Sequence, residues 1–200
     1  MTTDLIQRKL HQWTRGRNTP DARISVFYRI RDIPYAVIPE LNDPWRYGDI
    51  IKLNSGSCTP KHLLLCHMYQ KLGLEVLYVV YPFRWDEFKA IYPPELQKLA
   101  EAMPMGFHLA CKVAIGDKLV LVDATLDLAL QKIGLPVNKE WDGFSDTLLA
   151  VSPCGAEELY HPSEVAHMVP KEINEKSQAF YRALNAWLEQ VRKQTPGEKR

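Results

Sequence analysis

Apolar positions along this chain follow helical spacing, then alternate, then return to helical spacing, and that order sketches the fold. Residues 4–14 place Leu5, Ile6, Leu10 and Trp13 on one side of a short helix. Thr19-Pro20-Asp21 reads as a second helix start, with Thr19 as N-cap, proline in the first turn and an early acid. Ile24, Phe27 and Ile30 continue it, against the β-favouring run Val26-Phe27-Tyr28. Residues 34–57 carry three prolines and two glycines and read as a long irregular approach to the main helix. That helix covers residues 59–72, is apolar nearly all round (Leu63, Leu64, Leu65, Cys66, Met68, Leu72), and is therefore expected to be buried, with Gly73 as its C-cap.

Alternation follows. Residues 74–81 form an expected strand ended by Pro82, and residues 84–103 one or two helices broken at Pro93-Pro94. Residues 107–115 and 118–125 form an expected hairpin around Gly116-Asp117. Residues 126–170 give no clear period. An amphipathic helix over 171–193, with Ile173, Phe180, Leu184, Trp187 and Val191 on one face, precedes an expected frayed tail at 195–200.

Composition narrows the possibilities. Two hundred residues, 46% hydrophobic and 24% charged, suit one globular domain, here expected over 1–194. A formal charge of +1 gives no electrostatic case for nucleic acid or an anionic membrane. No apolar run approaches the roughly 20 residues that span a bilayer, and the first residues lack the apolar core of a secretory signal. Four cysteines are too few for a disulfide scaffold, so a reduced, cytoplasmic chain is expected.

The chemistry lies in Cys58 and the hairpin. Cys58 sits where Gly56-Ser57 end a loop and Pro60 opens the apolar helix. A helix N-terminus favours the thiolate over a free thiol of pKa about 8.5, and its N–H groups suit an oxyanion. A two-residue turn sets Ile115 opposite Lys118, hence Ala110 opposite Asp123 and His108 opposite Thr125. His108 and Asp123 then become diagonal neighbours on one face, Cβ atoms roughly 7–8 Å apart. The same register gathers Leu109, Cys111, Val113, Ile115, Val120, Val122 and Ala124 on the other face; a three-residue loop would scramble both. Cys58 as nucleophile, His108 as base and Asp123 as its orienting group is the reading that follows. Taken singly, Cys58 is equally a small buried residue, and His108–Asp123 a structural pair.

These stretches resemble transglutaminase-like proteins. Gly56-Ser57-Cys58 through Leu72-Gly73-Leu74 is similar to the family's nucleophile helix, and His108 and Leu121-Val122-Asp123-Ala124-Thr125 to its His strand and Asp-x-Thr strand. Ile30-Arg31-Asp32-Ile33-Pro34-Tyr35 resembles a segment of bacterial members. The resemblance covers about residues 24–126. It implies a papain-like α+β fold, with the cysteine helix packed against an antiparallel sheet between flanking N- and C-terminal helices. It also implies Cys58, His108 and Asp123 as a catalytic triad acting on a peptide or protein amide by hydrolysis or transfer, without cofactor or metal. Ala110 and Lys112 depart from the family's usual aromatic and acidic residues after the histidine, and Lys61-His62 from the usual small or apolar ones.

Other readings compete. Cys58, His62 and Cys66 share a helical face, with His67 and His108-x-x-Cys111 as further metal donors, but the tight Cys-x-x-Cys pairs of structural zinc are absent. Trp45 and Asn54, which precede the cysteine, are expected to serve packing or loop geometry. His161 and His167 are expected on the surface or in packing, and Cys154 in a loop. An inactive binding or assembly module with the same fold is the alternative. The tail helix is expected to dock on its own domain.

Overall fold

The computed structural model describes residues 2–88, 92–167 and 175–194. Among the described residues six helices and four strands follow one another: α1 (Thr2–Thr14), α2 (Thr19–Arg31), α3 (Ile50–Leu53), α4 (Cys58–Lys71), β1 (Val76–Phe83), α5 (Pro94–Glu101), β2 (Gly106–Ile115), β3 (Lys118–Val122), β4 (Glu158–Tyr160) and α6 (Glu175–Lys193). The strands pair antiparallel in the order β3-β2-β1-β4. The molecule is thus α+β, with the cysteine helix laid on an antiparallel sheet and helices from both ends of the chain around it.

The period switch explains these elements. One face of the sheet, with Tyr78, Val80, Leu109, Cys111, Val113, Val120 and Val122, packs against α4 and α2. The other, with Val79, Tyr81 and Ala110, lies under Leu121 and Leu149. A second core joins Phe83, Trp85 and Leu126–Val151 side chains to Phe180, Leu184, Leu188 and Val191 of α6. The tail helix therefore docks on its own domain; Ile173 falls outside the described residues, as do 195–200.

The boundaries depart from expectation where local chemistry decides them. The cap of α2 is Asn18, not Thr19: its Oδ1 accepts the Asp21 N–H at 2.9 Å, and Thr19 becomes the first helical residue. Asn caps as well as Thr, and proline then falls at the second position without loss of a bond. β1 runs through Pro82 instead of stopping there. The Pro82 carbonyl accepts from Cys154 N on the side away from β2, so the missing N–H also faces away from that ladder. β3 ends at Val122, since the N–H of Asp123 turns to Thr147 Oγ1. Residues 84–103 yield a 3-10 turn at Trp85–Glu87 and α5 beginning at Pro94; 89–91 are not described. The irregular 34–57 stretch contains two 3-10 turns besides α3, and the unassigned 126–170 holds two more turns and β4. At the end of α4, Gly73 (φ +80°) follows the cap residue Leu72, and the Gly73 and Leu74 N–H groups return to Gln70 and Tyr69, a Schellman closure that needs the left-handed glycine.

Lys61 has an unusual place in this core. It is fully buried, and its Nζ donates to the carbonyls of Arg31 (2.9 Å), Ile33 (2.8 Å) and Thr125 (2.6 Å). Three acceptors match the three donors of an ammonium group. Burial lowers its pKa to about 7, against the pull of Asp127 and Asp123. The side chain ties α4 to the end of α2 and to the strand exit after β3. Replacing it by methionine leaves three carbonyls without a donor, and Lys61→Met is expected to lower the unfolding free energy by roughly 3 kcal/mol or more in urea titrations, whereas exposed Lys98→Met leaves it nearly unchanged.

Candidate active site

The sequence register of the hairpin is the observed one. Ile115 faces Lys118, Val113 faces Val120 and Cys111 faces Val122. Continued past the end of β3, it brings His108 and Asp123 together: Nε2–H of His108 donates to Asp123 Oδ2 at 2.9 Å, both residues being buried. With Nε2 committed, Nδ1 is the nitrogen left for Cys58, which lines the same cavity as His108, and each of the two shifts the ionisation of the other. The three predicted residues thus meet in space.

Cys58 is the first residue of α4, after Ser57. The opening N–H groups of a helix have no intrahelical acceptor, and Ser57, Cys58 and Thr59 all border the same cavity. Gly56 makes this entry possible. A Cβ there would come within 2.8 Å of Ile50 Cγ2, and the residue bridges to Tyr35 through Gly56 N to Pro34 O (3.1 Å) and Ala36 N to Gly56 O (3.3 Å).

The electrostatics follow from burial and pairing. Burial alone would raise the Cys58 pKa, but the hydrogen bond and charge of His108, with the Leu109 N–H, bring it below the ordinary thiol value. Burial alone would lower that of His108, yet the charge and hydrogen bond of Asp123, then those of Cys58, raise it to about 10. The imidazole lowers the thiol and the thiol raises the imidazole, so each biases the other toward its charged form. Asp123 resists the upward push of burial through His108 and lies well below the usual carboxylate range. It also accepts the Ala150 N–H (2.8 Å) on Oδ2 and the Thr125 N–H (3.0 Å) on Oδ1.

Sequence reasoning missed three supports. His62, one turn after Cys58, is fully buried and bridges two elements: Nδ1 donates to the Cys58 carbonyl (2.9 Å) and Nε2 accepts the Ala124 N–H (3.0 Å). An Nε2 that accepts carries no proton, so its 3.6 Å approach to Asp123 Oδ1 is not an ion pair. Burial holds its pKa down to about 4, outweighing the pull of Asp123. Residues 147–150 cover Asp123, which no periodicity announced. Arg192 of α6 grips Asp127 Oδ2 and the Tyr35 carbonyl, both at 2.7 Å, while the Tyr35 N–H donates to the same carboxylate oxygen at 2.8 Å. The usable signal was a lysine and a histidine at consecutive positions inside a run of leucines, since such residues are buried only when fully partnered.

The remaining candidates separate from the site. Trp45 is 81% exposed at a turn held by Asp43, so it does not pack, while Asn54 serves loop geometry in the left-handed region (φ 48°). Cys66 lies against Cys111 (Sγ–Sγ 2.6 Å) in the core, and Cys154 and His161 are exposed. The His167 side chain is not described. Among the described residues no three His, Cys, Asp or Glu side chains converge as a metal site, and no helix is long and apolar enough to cross a membrane.

The cavity at Cys58 and His108 holds about 180 Å³. Tyr35 and Asn42 border it from the loop before α3, Phe83 and Gly106 from the sheet, and Tyr181 from α6. The charge of Cys58 is among the causes that raise the Tyr35 and Tyr181 phenols, after burial itself.

Because folded His62 titrates near 4 and an unfolded histidine near 6.5, the unfolded chain binds more protons between those values. Stability from this residue is complete above pH 6.5 and falls toward pH 4, by about 3 kcal/mol in all. Urea unfolding across pH 4–7 measures it. His62→Gln, which keeps one donor and one acceptor, is expected to flatten that part of the profile.

No family model matches the sequence, and no curated protein does. Among solved structures, the chain is similar to the 1.9 Å crystal structure of "a Putative Cysteine Protease from Cytophaga hutchinsonii", at 16% identity and a TM-score of 0.44, over 80% of this chain and 49% of that one. The chain thus spans about half the length of that neighbour.

Proposed function

We propose that this chain cleaves or transfers the acyl group of an amide bond in a peptide or protein through Cys58, His108 and Asp123, as a transglutaminase-like enzyme of papain-like architecture. The observation that carries the reading is the arrangement itself: a sulfur at a helix N-terminus, an imidazole lining the same cavity, and a carboxylate 2.9 Å from Nε2 of that ring.

The chemistry follows in order. The Cys58 thiolate attacks the amide carbonyl carbon, and the electron pair moves to oxygen. The first N–H groups of α4 face that oxyanion, and Tyr35 offers a neutral phenol nearby. His108 gives its Nδ1 proton to the departing amine as the C–N bond breaks, leaving a thioester on Cys58. A water or an amine then attacks the thioester, His108 takes its proton, and the thiolate returns as the acyl group leaves. Asp123 keeps the ring in the orientation and protonation state both halves require. A working thiolate suits the reducing cytoplasm, where the other cysteines also persist as thiols.

Iodoacetamide labelling followed by mass spectrometry tests this directly. Cys58 is expected to label much faster than exposed Cys154, with an apparent pKa below that of a free thiol, and the fast phase vanishes in Cys58→Ala. His108→Ala is expected to cut turnover of a trapped amide or thioester substrate by roughly 10²–10⁴-fold. Equal labelling of Cys58 and Cys154 would instead identify an inert module with the same fold.

A further inference from the structure

The wall of the Cys58 cavity has a chemical character that selects its substrate. Apart from the Cys58–His108 pair, no described residue that borders it carries a formal charge. Its apolar surface comes from Phe83, Trp85, Phe88, Met103, Met105 and Phe107, and its polar groups are neutral hydroxyls and one amide. The buried rings of Phe83, Trp85 and Phe88 form a fixed wall. Phe83 and Trp85 meet edge to face at 4.8 Å between centroids, and Trp85 meets Phe180 of α6 at 5.1 Å. Gly106 allows this approach, since a Cβ there would lie 2.6 Å from the Phe83 ring. Met105 and Phe107, by contrast, are about half exposed (53% and 48%), although the handful of large apolar residues left on a surface are usually isolated.

We infer that the cavity receives a bulky, uncharged aromatic or branched aliphatic side chain on the acyl side of the amide that Cys58 attacks. This rests on the proposed role of Cys58 and names the substrate class. The volume sets the size: about 180 Å³ is close to the roughly 150 Å³ apolar cavity that accommodates one benzene ring. A single phenylalanine or leucine side chain fills it. The half-exposed Met105 and Phe107 supply the missing cover when such a side chain enters, and methionine adapts its shape at little cost. A lysine, arginine, aspartate or glutamate side chain would lose its water without gaining a counter-ion. Its charged neighbours, the Cys58 thiolate and the His108 imidazolium, already offset one another, and Asp123 holds the ring.

The test uses dipeptidyl acyloxymethyl ketones, which alkylate an active-site thiol, with Phe, Leu, Ala, Glu or Lys placed in turn at the first and second residue from the reactive carbonyl. At one of these positions Phe and Leu are expected to label Cys58 roughly ten-fold faster than Ala, and Glu and Lys roughly 100-fold slower than Phe. Met105→Glu, at a half-exposed position, is expected to raise the Lys probe relative to the Phe probe when each rate is divided by the iodoacetamide rate of the same variant. If iodoacetamide labels Cys58 selectively while all probes react alike or the charged ones react fastest, the substrate class is wrong and the triad stands. If Cys58 shows no selective reaction with iodoacetamide, both are overturned.

Discussion

One imidazole fixes the distance between the two halves of the site. His62 donates to the carbonyl of Cys58 and accepts from the amide of Ala124, so the first turn of α4 and the exit of the hairpin are pinned to the same ring. Cys58 lies on the first of these, and His108 and Asp123 depend on the second. The ring performs this task only when neutral, with a proton on Nδ1 and none on Nε2. Burial enforces that state, since it penalises the charged form more than Asp123 favours it. Two histidines 6.1 Å apart therefore hold opposite charge states, His62 neutral and His108 cationic, because one faces backbone partners and the other faces a carboxylate and a thiol.

The buried charges form a graded set around this pin. Asp123 accepts from two backbone N–H groups and one ring nitrogen, which offsets its desolvation. Lys61 meets three carbonyls, and Asp127 meets Arg192 and the Tyr35 amide. The partners lie on separate segments, namely the end of α2 and the loop after it, β2, the stretches that follow β3, and α6, so satisfying these groups also fixes how those segments meet. Polar burial here specifies geometry, while the two apolar cores supply most of the driving force.

The hairpin was legible in the sequence because its rules are local. A two-residue turn sets parity, parity sets faces, and the faces place His108 beside Asp123. The α4 helix and its glycine ending were legible for the same reason. Long-range contacts were not. Nothing in the spacing of residues 126–170 indicated that Ala150 would donate to Asp123 or that Thr147 would end β3. Lys61 and His62 stood out as departures from an apolar helix, yet their partners lie far away in sequence at Arg31, Ile33, Ala124 and Thr125. Pro82 misled because a strand at the margin of its ladder tolerates a missing donor. Asn18 was passed over because Thr19 satisfied the same capping rule one residue later.

The clasp between Arg192, Asp127 and Tyr35 has a consequence for how the molecule comes into being. A ribosome delivers Cys58, His108 and Asp123 before it delivers α6, which carries Arg192 and the Tyr181 side of the cavity. Until that helix arrives, the Tyr35 carbonyl lacks its Arg192 donor and the aromatic wall lacks Phe180 behind Trp85. The growing chain therefore carries Cys58 beside an unfinished cavity, whose wall is completed only when α6 docks.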